Sequence, residues 1–274
     1  MTSPLNILEL ALPALYALTF GVYYRQFFGE DAQGDRFFGS FMLKGTLAIH
    51  VGYLIYRGIT LAHFPIATGA EFMSMLAASI AAIYVLVETR HNNPNTGIFF
   101  IGLITLFQLF SSILITDIST YPDRMTHSVF GVHIIVTGLG FAALSLSAIY
   151  ALMYVMLSRQ LKARNLGVIF RRLPPLATLE NMSKLATIAG VILLGIGLAL
   201  GHWFALEQGV SLTTLDPTII AADLIWLAYF LGLIVVSVRG LSGLRMGYFS
   251  LFGYVALVGT IVVILSVSGA LHSF

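Results

Sequence analysis

The sequence predicts an all-α, polytopic membrane protein with about eight transmembrane helices. Two observations carry this prediction. Hydrophobic residues make up 58% of the chain and charged residues only 9%, with a mean hydropathy of +0.92. The apolar residues fall into stretches of about 20, the length that a helix needs to cross a bilayer. These crossings use up the 274 residues, so we expect one transmembrane helical domain, 1–274, and no separate soluble domain.

Polar loops separate the eight predicted crossings. Arg25 and a polar loop close the first, and a segment punctuated by Pro and Gly, 61–69, separates the second from the third. The fifth is the longest, because the 34 positions 125–158 contain no Asp, Glu, Lys or Arg; we expect it to tilt or to project from the membrane. The predicted crossings are about 5–24, 37–57, 70–89, 97–116, most of 125–158, 183–205, 217–238 and 246–270.

The basic residues are distributed unevenly between the two sets of loops. The loops after the odd-numbered crossings share one side and hold 11 basic residues, whereas the opposite loops hold only Arg57 and Arg124. The positive-inside rule therefore places both termini outside and the 159–182 loop in the cytoplasm. We expect a multi-pass protein of a bacterial cytoplasmic membrane, in contact with membrane lipid. The 11 are Arg25, Arg36, Arg90, Arg159, Lys162, Arg164, Arg171, Arg172, Lys184, Arg239 and Arg245.

The composition excludes several classes of function. The chain has no cysteine, so it performs no thiol–disulfide exchange and carries no C-x-x-C-H signature for covalent haem attachment. A net charge of +2 gives no reason to propose nucleic acid as a partner. The segment 1–4 lacks the basic region of a signal peptide, so the first apolar stretch is expected to be a retained helix. A small-solute transporter would predict paired broken helices and central charges, and neither is evident.

Six of the seven histidines fall on the predicted outer side of the membrane. Imidazoles in a membrane are costly unless they pair, ligate a metal or line a cavity, so their clustering indicates a functional site. Neutral imidazole is also the commonest protein ligand of metals and haem iron. On crossings or at their ends lie His50, His133, His202 and His272; in outer loops lie His63 and His127; His91 is cytoplasmic.

Each histidine has an alternative interpretation, as a polar residue at the membrane interface that binds no ligand. It suits His63, His91 and His127, which lie in loops, and His202, which precedes Trp203. His133 stands among apolar residues, which favours a ligand. The spacing is not that of a zinc site, because there is no H-E-x-x-H pair. Isolated imidazoles on long apolar helices suit haem b better, because haem needs only two axial ligands and an apolar slot.

A few acidic residues also lie within predicted crossings. Asp216 and Asp223 are seven residues apart on the seventh, hence on one face if the helix starts that early. They could counter the charge of a haem iron, accept a hydrogen bond from a ligand imidazole or cap the helix. Capping suits Asp216, because a proline follows it, whereas Asp223 lies deeper in the membrane. Glu9 and Glu71 lie near or in helices on the outer side.

Several segments resemble one family of membrane proteins. A long helix opens with Val132-His133-Ile134 and ends in a basic segment, Ser158-Arg159-Gln160-Leu161-Lys162. The next helix is preceded by Leu173-Pro174-Pro175-Leu176 with Leu179-Glu180. The last helix begins with the segment from Gly243-Leu244-Arg245 to Gly253-Tyr254 and ends in Gly269-Ala270-Leu271-His272-Ser273-Phe274. A short motif between early helices consists of His63-Phe64-Pro65 with Glu71. These segments resemble the cytochrome c assembly family, which includes the CcsA, HemX and YpjD types. The resemblance covers roughly 120–274 and, more loosely, 40–90.

The resemblance implies a role in haem handling. CcsA-type proteins carry haem across or at the membrane and join it to apocytochrome c. A protein of this kind would bind haem b and act with a membrane partner of cytochrome c assembly or with another haem-protein complex. The resemblance implies His133 and His272 as axial ligands of the iron, with His50 and His202 as alternative ligands and Asp223, Asp216 and His63 as possible supporting residues.

The sequence differs from CcsA in one functional segment. CcsA has a tryptophan-rich outer segment ending in Trp-Asp-Pro, whereas 211–217 here reads Ser-Leu-Thr-Thr-Leu-Asp-Pro. CcsA also has a histidine near the end of its next-to-last helix, where 234–238 here contains none. These differences favour the HemX and YpjD types and predict little or no haem ligation by this chain alone. Two functions stay open: a haem-handling assembly protein, or a non-catalytic membrane subunit, scaffold or regulator with a structural or electron-transfer haem, or none.

Overall fold

The fold is helical throughout the part of the chain that the structure describes. The computed structural model describes residues 4–29, 32–62, 64, 66, 68–91, 94–115, 127–164, 167–209 and 217–271, with the backbone alone for 32–36, 91, 217–218 and 261–271. Within these ranges there is no strand, which confirms the predicted all-α class. The α-helices are α1 (Pro4–Phe28), α2 (Ala32–Leu61), α3 (Gly69–His91), α4 (Gly97–Leu114), α5 (Ser128–Lys162), α6 (Val168–Arg172), α7 (Leu176–Glu207), α8 (Pro217–Val238) and α9 (Leu244–Leu271).

The long helices have the properties of membrane crossings. Within the described residues, seven are long and apolar enough to span a bilayer. The eighth long helix, α9, has 28 residues, and the chain contains no Asp, Glu, Lys or Arg after Arg245. Large apolar side chains such as Leu10, Ile59 and Leu224 are exposed along the helices. Because helices satisfy their own backbone hydrogen bonds, such surfaces are suited to lipid. The protein is therefore a polytopic membrane protein, as predicted.

Several helix boundaries differ from the predicted ones, and three of these differences have a structural consequence. α2 continues to Leu61 rather than ending at Arg57, because Arg57 is buried and paired with two glutamates instead of lying in an outer loop. Counting Arg57 as a loop cation was therefore wrong. α7 begins at Leu176, seven residues before the predicted 183, because Pro175 serves as its N-cap residue. α5 ends at Lys162 rather than 158, so its basic residues belong to its last turn.

The helices form two compact groups, and the single transmembrane domain stays a prediction. Unit 1 comprises 1–127 and 165–173. In it α4 packs against α1 and α3, while α2 packs against the same two helices. A capping box starts α3: the Thr68 hydroxyl accepts the Glu71 N–H at 3.1 Å, and the Glu71 carboxylate accepts the Thr68 N–H at 3.2 Å. This fixes Glu71 at the first turn of α3.

Unit 2 comprises 128–164 and 174–274, and its centre is the pair α5 and α7. These helices approach closely because small residues face large ones. A Cβ atom at Gly190 would lie 2.6 Å from the Leu144 side chain, so any larger residue there would force Leu144 to move. The buried Ser147 hydroxyl lies 2.6 Å from the Thr187 hydroxyl and adds a polar link between the helices. α9 packs against α5, and α8 packs against α7 and α9.

Candidate functional site

His133 lies in the second turn of α5 and has the hydrogen bond that a metal-ligating histidine needs. Its Nδ1 lies 2.7 Å from the carbonyl oxygen of Gly197 on α7. A carbonyl only accepts, so Nδ1 carries the hydrogen and the lone pair of the neutral ring is on Nε2. Metal-ligating histidines typically donate their second ring N–H to a carboxylate or a backbone carbonyl in this way. The ring is therefore held in the tautomer whose lone pair is on Nε2.

Two glycines of α7 make room for this ring. A Cβ atom at Gly201 would lie 2.7 Å from Cε1 of His133, so a side chain there would displace the imidazole. Gly197, four residues earlier on the same face of α7, supplies the accepting carbonyl. Phe130, one turn before His133 on α5, has its ring centroid 6.4 Å from that of the imidazole. The orientation of His133 thus depends on the α5–α7 contact.

His202 follows Gly201 and has acceptors at both ring nitrogens. Its Nδ1 lies 2.8 Å from the Leu198 carbonyl oxygen, and its Nε2 lies 3.1 Å from Oδ2 of Asp223 on α8. Both ring nitrogens therefore have hydrogen-bond partners, and in this conformation neither is free to bind a metal. The His202 and Asp223 side chains are 30% and 41% exposed, so a ligand can reach them.

An apolar cavity of about 60 Å³ lies between α5, α7, α8 and α9. The polar atoms in its wall are already bonded: the Thr137 and Thr260 hydroxyls donate to their own helices, and Trp226 Nε1 donates to the Val191 carbonyl. The cavity is smaller than the one of about 150 Å³ that holds benzene in an engineered core, so it suits hydrocarbon groups of a ligand and not a macrocycle. Its wall consists of Thr137, Phe141, Leu194, Leu198, Ala222, Ile225, Trp226, Leu257 and Thr260.

His50, in unit 1, is fully buried in a chain of hydrogen bonds. Its Nε2 lies 2.9 Å from the Ser74 hydroxyl, which itself donates to Oε1 of Gln108 at 3.0 Å. Ser74 therefore accepts from Nε2–H, which leaves Nδ1 to accept from the Tyr16 hydroxyl at 3.0 Å. Both ring nitrogens are engaged, so His50 is part of a hydrogen-bonded core in this conformation.

A buried ion-pair cluster joins three helices of unit 1. Arg57 of α2 donates through Nε to Glu71 of α3 at 2.7 Å and through a terminal nitrogen to Glu9 of α1. The Tyr53 hydroxyl also donates to the Glu9 carboxylate, at 3.2 Å. Sequence reasoning missed the cluster because Arg57 was interpreted as a helix end. The available signal was the presence of three ionisable residues in apolar segments, since such residues usually pair.

The other predicted residues have different outcomes. His272, His63 and Asp216 lie outside the described residues. His127 is exposed just before α5, and His91 closes α3. Across the described ranges, no three His, Asp or Glu side chains converge as ligands of a metal ion. The donors that are present suit haem better, because haem asks the protein for only one or two axial ligands.

These features define a class: a multi-pass helical membrane protein that carries a histidine whose Nδ1 donates to a backbone carbonyl and a half-exposed imidazole–carboxylate pair. The chain belongs to the cytochrome c assembly protein family, whose model matches residues 10–272. The match extends well beyond the segments that resemble the family by inspection. The protein is therefore a membrane protein of a cytochrome c biogenesis family.

Three relatives illustrate this membership. Protein HemX of Brevibacillus brevis is 25% identical over 227 residues, which is 80% of each chain. Protein HemX of Bacillus subtilis (strain 168) is 22% identical over 236 residues, covering 84% of this chain and 83% of the relative. Cytochrome c biogenesis protein CcsA of Prochlorococcus marinus (strain MIT 9515) is 25% identical over 224 residues, covering 73% and 72%.

Proposed function

We propose that this protein handles haem b in cytochrome c assembly, with His133 as an axial ligand at the predicted outer end of unit 2. The observation that carries the proposal is the hydrogen bond from His133 Nδ1 to the Gly197 carbonyl, which leaves Nε2 as the ligating nitrogen. Membership of the cytochrome c assembly family supports a role with haem. The protein would act in a bacterial cytoplasmic membrane with a membrane partner of the same process.

The second axial ligand in this proposal is His272. It matches the histidine in the Gly-x-Leu-His-Ser ending of CcsA-type chains. His50 and His202 remain alternatives, but each has hydrogen-bond partners at both ring nitrogens. Asp216 and His63 are proposed only as supporting residues. A bound haem would supply a redox-active iron; the chain would supply its ligands and an apolar surrounding.

An absorption spectrum tests the proposal directly. The full-length protein, purified in detergent, is expected to show low-spin haem with sharp α and β bands after reduction. Replacing His133 or His272 by Ala should abolish or convert the low-spin signal, whereas His91→Ala should leave it unchanged. His133→Gln keeps a donor for the Gly197 carbonyl but gives iron no imidazole, so it separates loss of ligation from loss of folding. A normal spectrum in a well-folded His133→Gln protein would contradict the proposal.

A second candidate function is a non-catalytic membrane subunit, scaffold or regulator, with a structural or electron-transfer haem or none. Two observations favour it over haem ligation. The chain matches two HemX proteins over 80% and 84% of its length. It also lacks the tryptophans that CcsA places before Asp-Pro, at 211–217.

Complementation separates the two candidates. We expect little or no covalent cytochrome c when this protein alone is expressed in a strain that lacks its own assembly system, because the tryptophan-rich segment is missing. Haem staining of denaturing gels measures the covalent product, and a ligating CcsA-type protein in the same strain is the positive control. Robust recovery of covalent cytochrome c would exclude the non-catalytic candidate.

A further inference from the structure

We propose that His202 and Asp223 form a carboxylate-exchange site, in which a propionate of bound haem replaces Asp223 as the hydrogen-bond partner of His202 Nε2. This inference rests on the proposed function, because it concerns the same haem. It assigns His202 a role in recognising the haem carboxylates rather than in ligating the iron.

The position of His202 relative to His133 supports the inference. The His133 ring lies against Gly201, and His202 is the next residue of α7. The apolar cavity begins one turn away from both histidines, at Thr137 on α5 and Leu198 on α7. Haem has one edge with two carboxylates and an opposite edge with hydrocarbon substituents. A polar contact at His202 and an apolar cavity on the membrane side match these two edges.

The hydrogen bonds of His202 define what it can bind. The Leu198 carbonyl holds Nδ1–H, so the ring is oriented and its Nε2–H points to Asp223. The group that this N–H holds is a carboxylate, the same chemical group that a propionate presents. A propionate can therefore form the same kind of hydrogen bond with the His202 ring as the Asp223 carboxylate does.

The exposure of the pair makes exchange possible. Its side chains are 30% and 41% exposed, in contrast to the Arg57–Glu71 pair, in which each side chain is 1% exposed. Solvent screens a half-exposed ion pair, so it is weak and a ligand carboxylate can compete for it. A buried pair would have to be broken at a far larger cost, because each charge would be left uncompensated.

The test compares the affinities of the protein for haem and for haem dimethyl ester. The ester has the same iron and ring but no charged carboxylates. The full-length protein in detergent is titrated with each compound and binding is followed by absorbance. The wild type should bind haem several-fold more tightly than the ester, which is less than the roughly tenfold expected of one charge-assisted hydrogen bond, because the propionate has to displace Asp223. His202→Gln should abolish this preference. Asp223→Asn should bind haem several-fold more tightly than the wild type, because the competing carboxylate is gone, with no change for the ester.

Glu207→Gln is the matched control, because it removes an exposed carboxylate from the last turn of the same helix as His202. It should leave both affinities unchanged. Equal affinities for haem and ester in the wild type would overturn the exchange site while leaving ligation by His133 intact. The same holds if Asp223→Asn weakens haem binding as His202→Gln does. If the wild type binds neither compound, the proposed haem site itself is wrong, so the two failures are distinguishable.

Discussion

Histidines at the predicted outer end of unit 2 differ in chemistry because their ring partners differ. His133 has a carbonyl at Nδ1, which leaves Nε2 for a metal, whereas His202 has acceptors at both nitrogens. No property of the residue type separates them. The distinction arises from the elements that face each ring: α7 for His133, and α7 together with α8 for His202.

Arg57 was predicted to be a cation of an outer loop, whereas the structure places it in a buried ion pair. Its side chain is 1% exposed and links Glu9 to Glu71 inside the bundle of unit 1. Removing the guanidinium would take away the cation that pairs with the buried Glu71 carboxylate and with the partly buried Glu9 carboxylate. The loss of one partner from a buried ion pair typically costs about 3–5 kcal/mol.

We therefore expect Arg57→Met to destabilise the protein strongly. Adding Glu9→Gln and Glu71→Gln to Arg57→Met should restore part of the stability, because the uncompensated charges are then gone. Thermal unfolding of the purified protein in detergent, followed by circular dichroism, measures the effect. Lys44→Met is the matched control, since Lys44 is an exposed cation on the same helix. Equal melting temperatures for Arg57→Met and Lys44→Met would show that the cluster contributes no stability.

The apolar pattern predicts the positions of the long helices closely, but it predicts their ends less well. The predicted third crossing, 70–89, lies within α3 (Gly69–His91), and the seventh, 217–238, coincides with α8 (Pro217–Val238). α7 starts earlier than predicted because a proline pair provides its N-cap position, although the apolar run begins later. Hydropathy locates the part of a helix inside the bilayer, whereas capping determines where the helix begins.

The rotation of each helix about its axis is a second property that the apolar pattern leaves undetermined. Apolar residues surround a membrane helix on all sides, so the pattern does not identify the face that contacts a neighbour. In α7 the glycines do so: Gly190 faces Leu144, and Gly201 faces His133. Glycine spacing in the sequence indicates close approach somewhere, and the partner helix becomes known only from the packing.

The membrane topology of the whole molecule can be tested by locating its loops. We expect both termini outside and the 159–182 segment in the cytoplasm, because 11 basic residues share that side. The burial of Arg57 strengthens the asymmetry, since it leaves only Arg124 in the opposite loops. Reporter fusions at the C-terminus and within 159–182 should report opposite sides of the membrane. An external 159–182 segment would reverse the orientation and place His133 and His202 at the cytoplasmic face.

The sequence by itself determined the class of protein, the number and approximate position of the long helices, and the family, because these depend on composition, on apolar length and on local motifs. It also identified His133 and Asp223 as candidates, since polar residues in apolar helices are costly without a role. Tertiary structure alone decided that His133 donates to Gly197, that Asp223 pairs with His202 and that Arg57 joins Glu9 and Glu71. Each of these contacts joins residues of different helices. Their formation depends on how neighbouring helices pack and rotate, which a pattern along one chain does not specify.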